Sequence, residues 1–171
     1  MHPRWRCRIF SLCRGSDLDR SFRFQQALSY FGASGEMAEL DDGVEQAPLP
    51  EMEISETVAA LAAGDTYDLL ITHGPRGEYT SHQRHIEVSR AVFHLWKAGI
   101  LRANCLWQFA YEDGGGAYLP RPAPEAEVKI ELPEEVRRLK HFIITQIYGF
   151  AEDSWEAQAA GGVEAFRELS A

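Results

Sequence analysis

A single strand–loop–helix segment in the middle of this 171-residue chain constrains its fold more than any other feature. Residues 67–71 form a short apolar run, which is typical of a buried β-strand. A glycine-marked loop follows, and the helical stripe after it ends at Gly99. That stripe consists of His85, Val88, Val92 and Leu95. A strand that leads into a helix in this way predicts an α/β fold, whose ligands bind beyond the carboxyl ends of the strands.

The N-terminal part of the chain repeats this pattern. Residues 8–13 are expected to form a strand, and two helical stripes then end at Gly32 and Gly64. The first stripe consists of Phe24, Ala27, Leu28 and Phe31, and the second of Ile54, Val58, Leu61 and Ala62. Between them lies an acidic segment that contains Asp41 and Asp42.

The C-terminal part continues the pattern less regularly. Apolar residues alternate over 105–111, which predicts another strand, and a long loop rich in glycine and proline follows. Pro133 and the two glutamates after it predict the start of a helix that runs to Gly149. The tail from Glu152 is expected to be helical in part and to break at a pair of glycines. The whole pattern predicts one α/β domain over residues 1–171 with a mostly parallel sheet.

Composition excludes several classes of protein. The net charge of -9 and pI of 5.1 argue against a nucleic-acid binder, which needs clustered lysine and arginine. No apolar run is long enough to predict a membrane span, and the basic N-terminus lacks a signal-peptide cleavage pattern. The cysteines have neither metal-site nor disulfide-framework spacing, so we expect them to be reduced and buried in a cytoplasmic protein. They are Cys7, Cys13 and Cys105.

The loop and helix start after residues 67–71 carry three histidines. Thr80 and Gln83 have the spacing of a capping box, which predicts a helix start at about Ser81. His82 and His85 then share one helix face and point toward the crevice above the sheet. Spacing alone leaves two interpretations open, because the pair could bind a metal or substrate, or could be a core histidine beside a solvated one. Two histidines do not complete a catalytic zinc site, which typically has about three protein ligands.

The same segment resembles a known signature. The runs ITHGPRGEY at 71–79 and HQRHIEV at 82–88 are similar to the second signature of the PIG-L/LmbE-like deacetylases. Residues 10–17, 31–33, 40–43 and 132–149 also resemble parts of that family. The resemblance implies a Rossmann-like, mostly parallel sheet with helices on both faces. It also implies zinc-dependent removal of an N-acetyl group from a glucosamine-type or related amide substrate.

Site residues follow from the resemblance. It implies that His85 is a zinc ligand and that His82 stabilises the tetrahedral intermediate or donates a proton. His73, Arg76 and Glu78 would line the substrate side. The family's first signature, a His-Pro-Asp-Asp-Glu type run that supplies the other zinc ligands and the general base, has no match here. In the second signature Arg84 stands where many relatives carry an aspartate that orients a ligand.

Two explanations of the absent signature follow. The favoured one is that the chain is an incomplete version of a longer protein and lacks the first strand–helix unit. The other is a natural non-catalytic relative that binds a small molecule. A flavodoxin-like binding module is a third alternative, although the chain has no Gly-x-Gly-x-x-Gly run. The expected partner is a small N-acetylated molecule, and a homo-oligomer stays open because a second copy could cover an exposed strand edge.

Overall fold

A computed structural model describes residues 5–77 and 82–170 of the chain. Strands and helices alternate along most of this length. The strands are β1 (Arg8–Cys13), β2 (Ser34–Leu40), β3 (Thr66–Thr72), β4 (Arg102–Phe109), β5 (Tyr111–Glu112), β6 (Arg121–Pro122), β7 (Val128–Glu131) and β8 (Val163–Ser170). The helices are α1 (Leu18–Phe31), α2 (Glu51–Leu61), α3 (Gln83–Lys97), α4 (Glu134–Phe142), which continues as a π-helical turn (Ile143–Ile147), and α5 (Trp155–Ala159).

The strands form separate sheets. β1 and β2 pair in parallel as a two-stranded sheet. The larger sheet has the order β3-β4-β8-β7, in which β3 and β4 are parallel while β8 runs antiparallel to both β4 and β7. β5 and β6 form a short antiparallel pair at the base of the glycine-rich loop.

Helices cover both faces of the β1–β2 sheet. On one face α1 packs closely, because a Cβ added at Gly35 of β2 would lie 3.1 Å from the side chains of both Phe24 and Leu28. Leu40 points to the other face, since side chains alternate along a strand. There it joins the main core with α2, α3, β3 and β4. The buried residues of this core are Leu40, Ile54, Val58, Val88, Ala91, Val92, Leu95, Trp96, Leu101 and Leu106.

The helix boundaries follow the sequence signals closely. Asp17 caps α1 by accepting a hydrogen bond from the backbone of Arg20 at 3.1 Å, and Gly32 ends the same helix in the left-handed conformation with φ 58°. Gly64 and Gly99 also have positive φ beyond the ends of α2 and α3. The apolar stripes of these three helices mark their buried faces, except for Phe31, which is 36% exposed at the end of α1.

The structure confirms a mixed α/β fold and corrects the finer expectation in two places. Neither β2 nor β8 was predicted, although the tail is helical in part at α5 and breaks before Gly161 and Gly162, as expected. Because β8 pairs antiparallel with both of its neighbours, the larger sheet is mixed rather than mostly parallel.

Two expectations from composition have different outcomes. None of the helices in residues 5–77 and 82–170 is long and apolar enough to cross a membrane. The cysteines are free thiols, but Cys7 is exposed and the other two are only half-buried. The expectation that all three are buried is therefore wrong, because Cys7 precedes β1 instead of lying within it.

Candidate functional site

The end of β3 and the start of α3 bring three histidines together. β3 ends at Thr72, and the chain then makes a tight turn at Gly74. A side chain at Gly74 would place its Cβ 2.5 Å from the carbonyl oxygen of Phe109, so the close approach of this loop to β4 requires glycine. His82 is the N-cap residue of α3, which begins at Gln83, two residues beyond the helix start expected from the sequence.

The rings of these histidines stack in one column. The centroids of His73 and His85 are 3.9 Å apart with an interplanar angle of 5°. On the other side, the centroids of His85 and His82 are 4.4 Å apart with an angle of 29°. His85 therefore lies in the middle of the stack. Sequence spacing predicted the contact of His82 with His85, but not the addition of His73.

A carboxylate approaches one end of the stack. Oδ1 of Asp42 lies 3.9 Å from Nε2 of His82, an ion-pair distance that is longer than a hydrogen bond. The same oxygen accepts a hydrogen bond from Nε2 of Gln46 at 2.7 Å. Asp42 was not among the predicted site residues. The acidic segment around Asp42 is visible in the sequence. It predicts a site residue only when β2 is recognised as a strand, because Asp42 then follows the end of that strand.

A buried ion pair holds the segment that carries Asp42. Arg84 is 2% exposed and pairs with Glu87, which is 8% exposed, one turn further along α3. Nε of Arg84 donates to the carbonyl oxygen of Asp41 at 2.6 Å, and its guanidinium also donates to the carbonyl of Ala47. Oε1 of Glu87 accepts from the backbone N–H of Leu49 at 3.1 Å. We call Arg84 and Glu87 the clamp, because they tie the loop over residues 41–49 to α3.

The contacts of Arg84 give it a structural role in the loop that follows β2. Its guanidinium donates to backbone carbonyl groups of the loop that follows β2. The buried charge is tolerated because a carboxylate and two carbonyl groups satisfy its donors. The arginine therefore orients the Asp41–Asp42 turn rather than a metal-ligating imidazole.

The remaining predicted site residues lie further along the loop. Arg76 is exposed and its guanidinium is 3.6 Å from a carboxylate oxygen of Glu125. Arg167 of β8 reaches the same oxygen at 3.9 Å. Glu78 lies outside the described residues, as does Thr80 of the expected capping box. The structure thus brings His73, His82 and His85 together and places Arg76 in a separate cluster of charges.

Cys13, at the end of β1, is surrounded by the charges of this region. Burial raises the pKa of its thiol to about 11, and the negative charge of Asp42 adds to this effect. The guanidinium of Arg84 acts in the opposite direction and lowers it. A thiol with such a pKa is almost entirely protonated at neutral pH, so Cys13 is a weak nucleophile.

The ring geometry of the stack limits how it could bind a zinc ion. Zinc lies in the plane of each imidazole that binds it, on the lone pair of a ring nitrogen. The planes of His73 and His85 are nearly parallel, so both rings cannot meet one ion in this arrangement. Within the part of the chain that the structure describes, no group of three or more His, Cys, Asp or Glu side chains is arranged to hold a metal ion.

Comparisons of the chain with protein-family models, with curated proteins and with solved structures gave no match.

Proposed function

We propose that the histidine stack is part of the active site of a zinc-dependent hydrolase of the PIG-L/LmbE-like type. Its reaction would be removal of an N-acetyl group from a glucosamine-type or related amide substrate, on a Rossmann-like sheet. The observation that carries the proposal is the stack itself, which joins the end of β3 to the first turn of α3. Ligands in α/β folds bind at this edge of the sheet.

His82 is assigned the proton transfer and the stabilisation of the tetrahedral intermediate. Its side chain is about one-third exposed, at 32%, so that it reaches solvent at the mouth of the site. Asp42 is the group that would orient its ring, since an imidazole needs a partner to fix which nitrogen carries the proton. The separation of 3.9 Å would have to shorten to hydrogen-bond distance when substrate binds.

His85 is assigned as the metal ligand, with His73 packed against its ring on the substrate side. When bound, zinc would polarise the amide carbonyl and supply a water molecule of lowered pKa. Because His73 and His85 are stacked, only one of their two imidazoles could bind the ion in this arrangement. The described residues do not supply a complete set of zinc ligands, so the others would come from outside residues 5–77 and 82–170. Arg76 and Glu78 remain proposed substrate contacts from the loop.

One observation favours a second candidate function. Stacking of His73 on His85 leaves an aromatic column that can hold a planar or sugar-like ligand without any metal. In that case the chain is a non-catalytic small-molecule binding module. The two candidate functions differ in their need for zinc, because only the hydrolase requires it.

The test is acetate release from a panel of N-acetylated sugars, measured with and without an excess of zinc. The hydrolase predicts release that depends on zinc and is lost in His82→Ala and in His85→Ala. Binding of the same sugars, measured by calorimetry in the absence of zinc, reports on the module. Binding without release from any sugar in the panel would reject the hydrolase in favour of the module.

A further inference from the structure

Two arginines from different segments of the chain face one carboxylate. Arg76 lies in the loop between β3 and α3, Arg167 lies in β8, and Glu125 lies between β6 and β7. We call Arg76 and Arg167 the arginine pair. Their guanidinium groups lie 3.6 Å and 3.9 Å from the same oxygen, Oε1 of Glu125. Within the described part of the chain neither arginine has another carboxylate at ion-pair distance, so the pair carries one positive charge more than Glu125 neutralises.

The arginine pair lies on the same side of the larger sheet as the histidine stack. Arg167 is opposite Gln108 in the register of β8 and β4, so these two side chains point to the same face. Gln108 is buried and donates a hydrogen bond to Oγ of Ser89 at 3.0 Å, so this face carries α3. His85 precedes Ser89 by about one helical turn, or roughly 5.4 Å. Arg167 is therefore near the end of α3 that carries the stack.

The loop after β3 brings Arg76 to the same region. Arg76 follows His73 by three residues, so their Cα atoms are at most about 11 Å apart. The backbone N–H of Gly77 donates to the carbonyl of Gly74 at 3.1 Å, so the segment between them turns back on itself. A cleft lined by this loop, β8 and the end of β4 contains both arginines and Glu125. A ligand of the size of one substituted sugar ring can therefore extend from the stack to the arginine pair.

The arginine pair is suited to an oxyanion with several acceptor oxygens. Arginine presents a planar fork of donors that matches the oxygens of a carboxylate or phosphate, and two forks can hold one group from two sides. Glu125 does not use these donors fully, because both contacts are longer than a hydrogen bond. The side chains of Arg76 and Glu125 are 79% and 51% exposed, and that of Arg167 is 38% exposed. Exposed ion pairs add little to stability, so a ligand can replace Glu125 at low cost.

We propose that Arg76 and Arg167 bind an oxyanion of the ligand, a phosphate or carboxylate substituent of the same molecule whose ring contacts the histidine stack. Glu125 occupies this position in the free protein and is displaced when the ligand binds. The ligand class is therefore an acidic sugar or amide instead of a neutral one. The inference rests on the proposed function for the location of the ring at the stack, but it does not depend on zinc or on hydrolysis.

Calorimetry in the absence of zinc compares acidic sugars with a neutral one. The probes are N-acetylglucosamine 6-phosphate, N-acetylmuramic acid, which carries a carboxylate, and neutral N-acetylglucosamine. At neutral pH the phosphate monoester carries nearly two negative charges. The better of the two acidic probes should bind at least about tenfold more tightly than the neutral sugar, because its oxyanion makes charge-assisted hydrogen bonds to the arginine pair. The probe that binds more tightly identifies the oxyanion as phosphate or carboxylate.

Two substitutions should change the affinity for the acidic probe in opposite directions. Glu125→Gln removes the internal competitor and should tighten its binding by roughly threefold to tenfold. Arg167→Gln removes one fork and should weaken its binding by about tenfold. Neither variant should change the binding of the neutral sugar. Glu134→Gln and Arg138→Gln are the matched controls, because they change the net charge by the same amounts at an exposed ion pair of α4 and should leave all affinities unchanged.

A titration with inorganic phosphate, followed by the NMR signals of the arginine Nε–H groups, tests the oxyanion site alone. Phosphate binding that is lost in Arg167→Gln supports the inference even if no sugar binds, and the failure to bind a sugar would then count against the proposed function. Acetate release in the presence of zinc, measured in parallel, tests the hydrolase separately.

Three results would overturn the inference. The first is equal, measurable affinity for the acidic and neutral sugars. The second is weaker binding of the acidic probe by Glu125→Gln. The third is no binding of phosphate or of either acidic sugar at a concentration of about 20 mM.

Discussion

Removal of the arginine from the clamp should destabilise the whole domain. In Arg84→Ala the carboxylate of Glu87, which is 8% exposed, loses the cationic side chain that pairs with it. Breaking a buried ion pair from one side costs about 3–5 kcal/mol. The carbonyl groups of Asp41 and Ala47 also lose a donor, whereas Glu87 keeps its hydrogen bonds from Leu49 and Gln83. We therefore expect a loss of about 3–4 kcal/mol in the free energy of unfolding.

Urea unfolding followed by tryptophan fluorescence measures this loss. With a denaturant slope of about 2 kcal/mol/M, the midpoint should fall by about 1.5–2 M. Arg138→Ala is the matched control, because it removes an arginine from an exposed pair with Glu134, where the distance is 2.9 Å and the arginine is 78% exposed. The control should not change the midpoint measurably.

A double substitution separates the buried charge from the loss of packing. Arg84→Met with Glu87→Leu removes both charges, so its cost should be smaller than the sum of the two single substitutions. If Arg84→Ala and Arg138→Ala had the same urea midpoint, the claim that the clamp stabilises the domain would be refuted. Strict additivity in the double variant would show that the two side chains do not interact.

Three further predictions follow from the contacts described. Cys13 should react slowly with iodoacetamide at pH 8, and Asp42→Asn should speed the reaction because it removes a charge that raises the thiol pKa; an unchanged rate would contradict this. Gly74→Ala should cost about 1–3 kcal/mol in urea unfolding, whereas Gly161→Ala, whose Cβ meets no atom closer than 4.0 Å, should cost far less. The pKa of Asp17 is lowered, chiefly by the hydrogen bond from the backbone of Arg20, so Asp17→Ala should lower the melting temperature at pH 7. This difference should shrink as the pH falls below about 4, the ordinary value for an aspartate, and toward the lower pKa of the native carboxylate; a difference that grows there would contradict the assignment.

Local signals in the sequence predicted most of the helices, and the reason is physical. Glycine tolerates the left-handed conformation, so Gly32, Gly64 and Gly99 mark helix ends without any tertiary information. Strands were harder, because pairing partners decide them. β8 carries charged residues along its length, and its alternation is visible only once its antiparallel neighbours β4 and β7 are known.

The part of the site that could be predicted from the sequence is the part formed by residues close together in the chain. His82 and His85 are neighbours through helix geometry, which spacing reveals. The ring of His73 joins them through the conformation of a loop, which spacing does not reveal. The role of Arg84 was out of reach for the same reason, since its carbonyl partners lie 43 and 37 residues earlier in the chain.

The most direct test of the central claim compares two histidines of α3. His85 lies in the middle of the stack, whereas His94 is exposed and contacts Glu51 at 2.9 Å. In the presence of excess zinc, acetate release from the N-acetylated sugar that reacts fastest should be lost in His85→Ala and retained in His94→Ala. Equal release by both variants would contradict the claim that the histidine stack carries the chemistry.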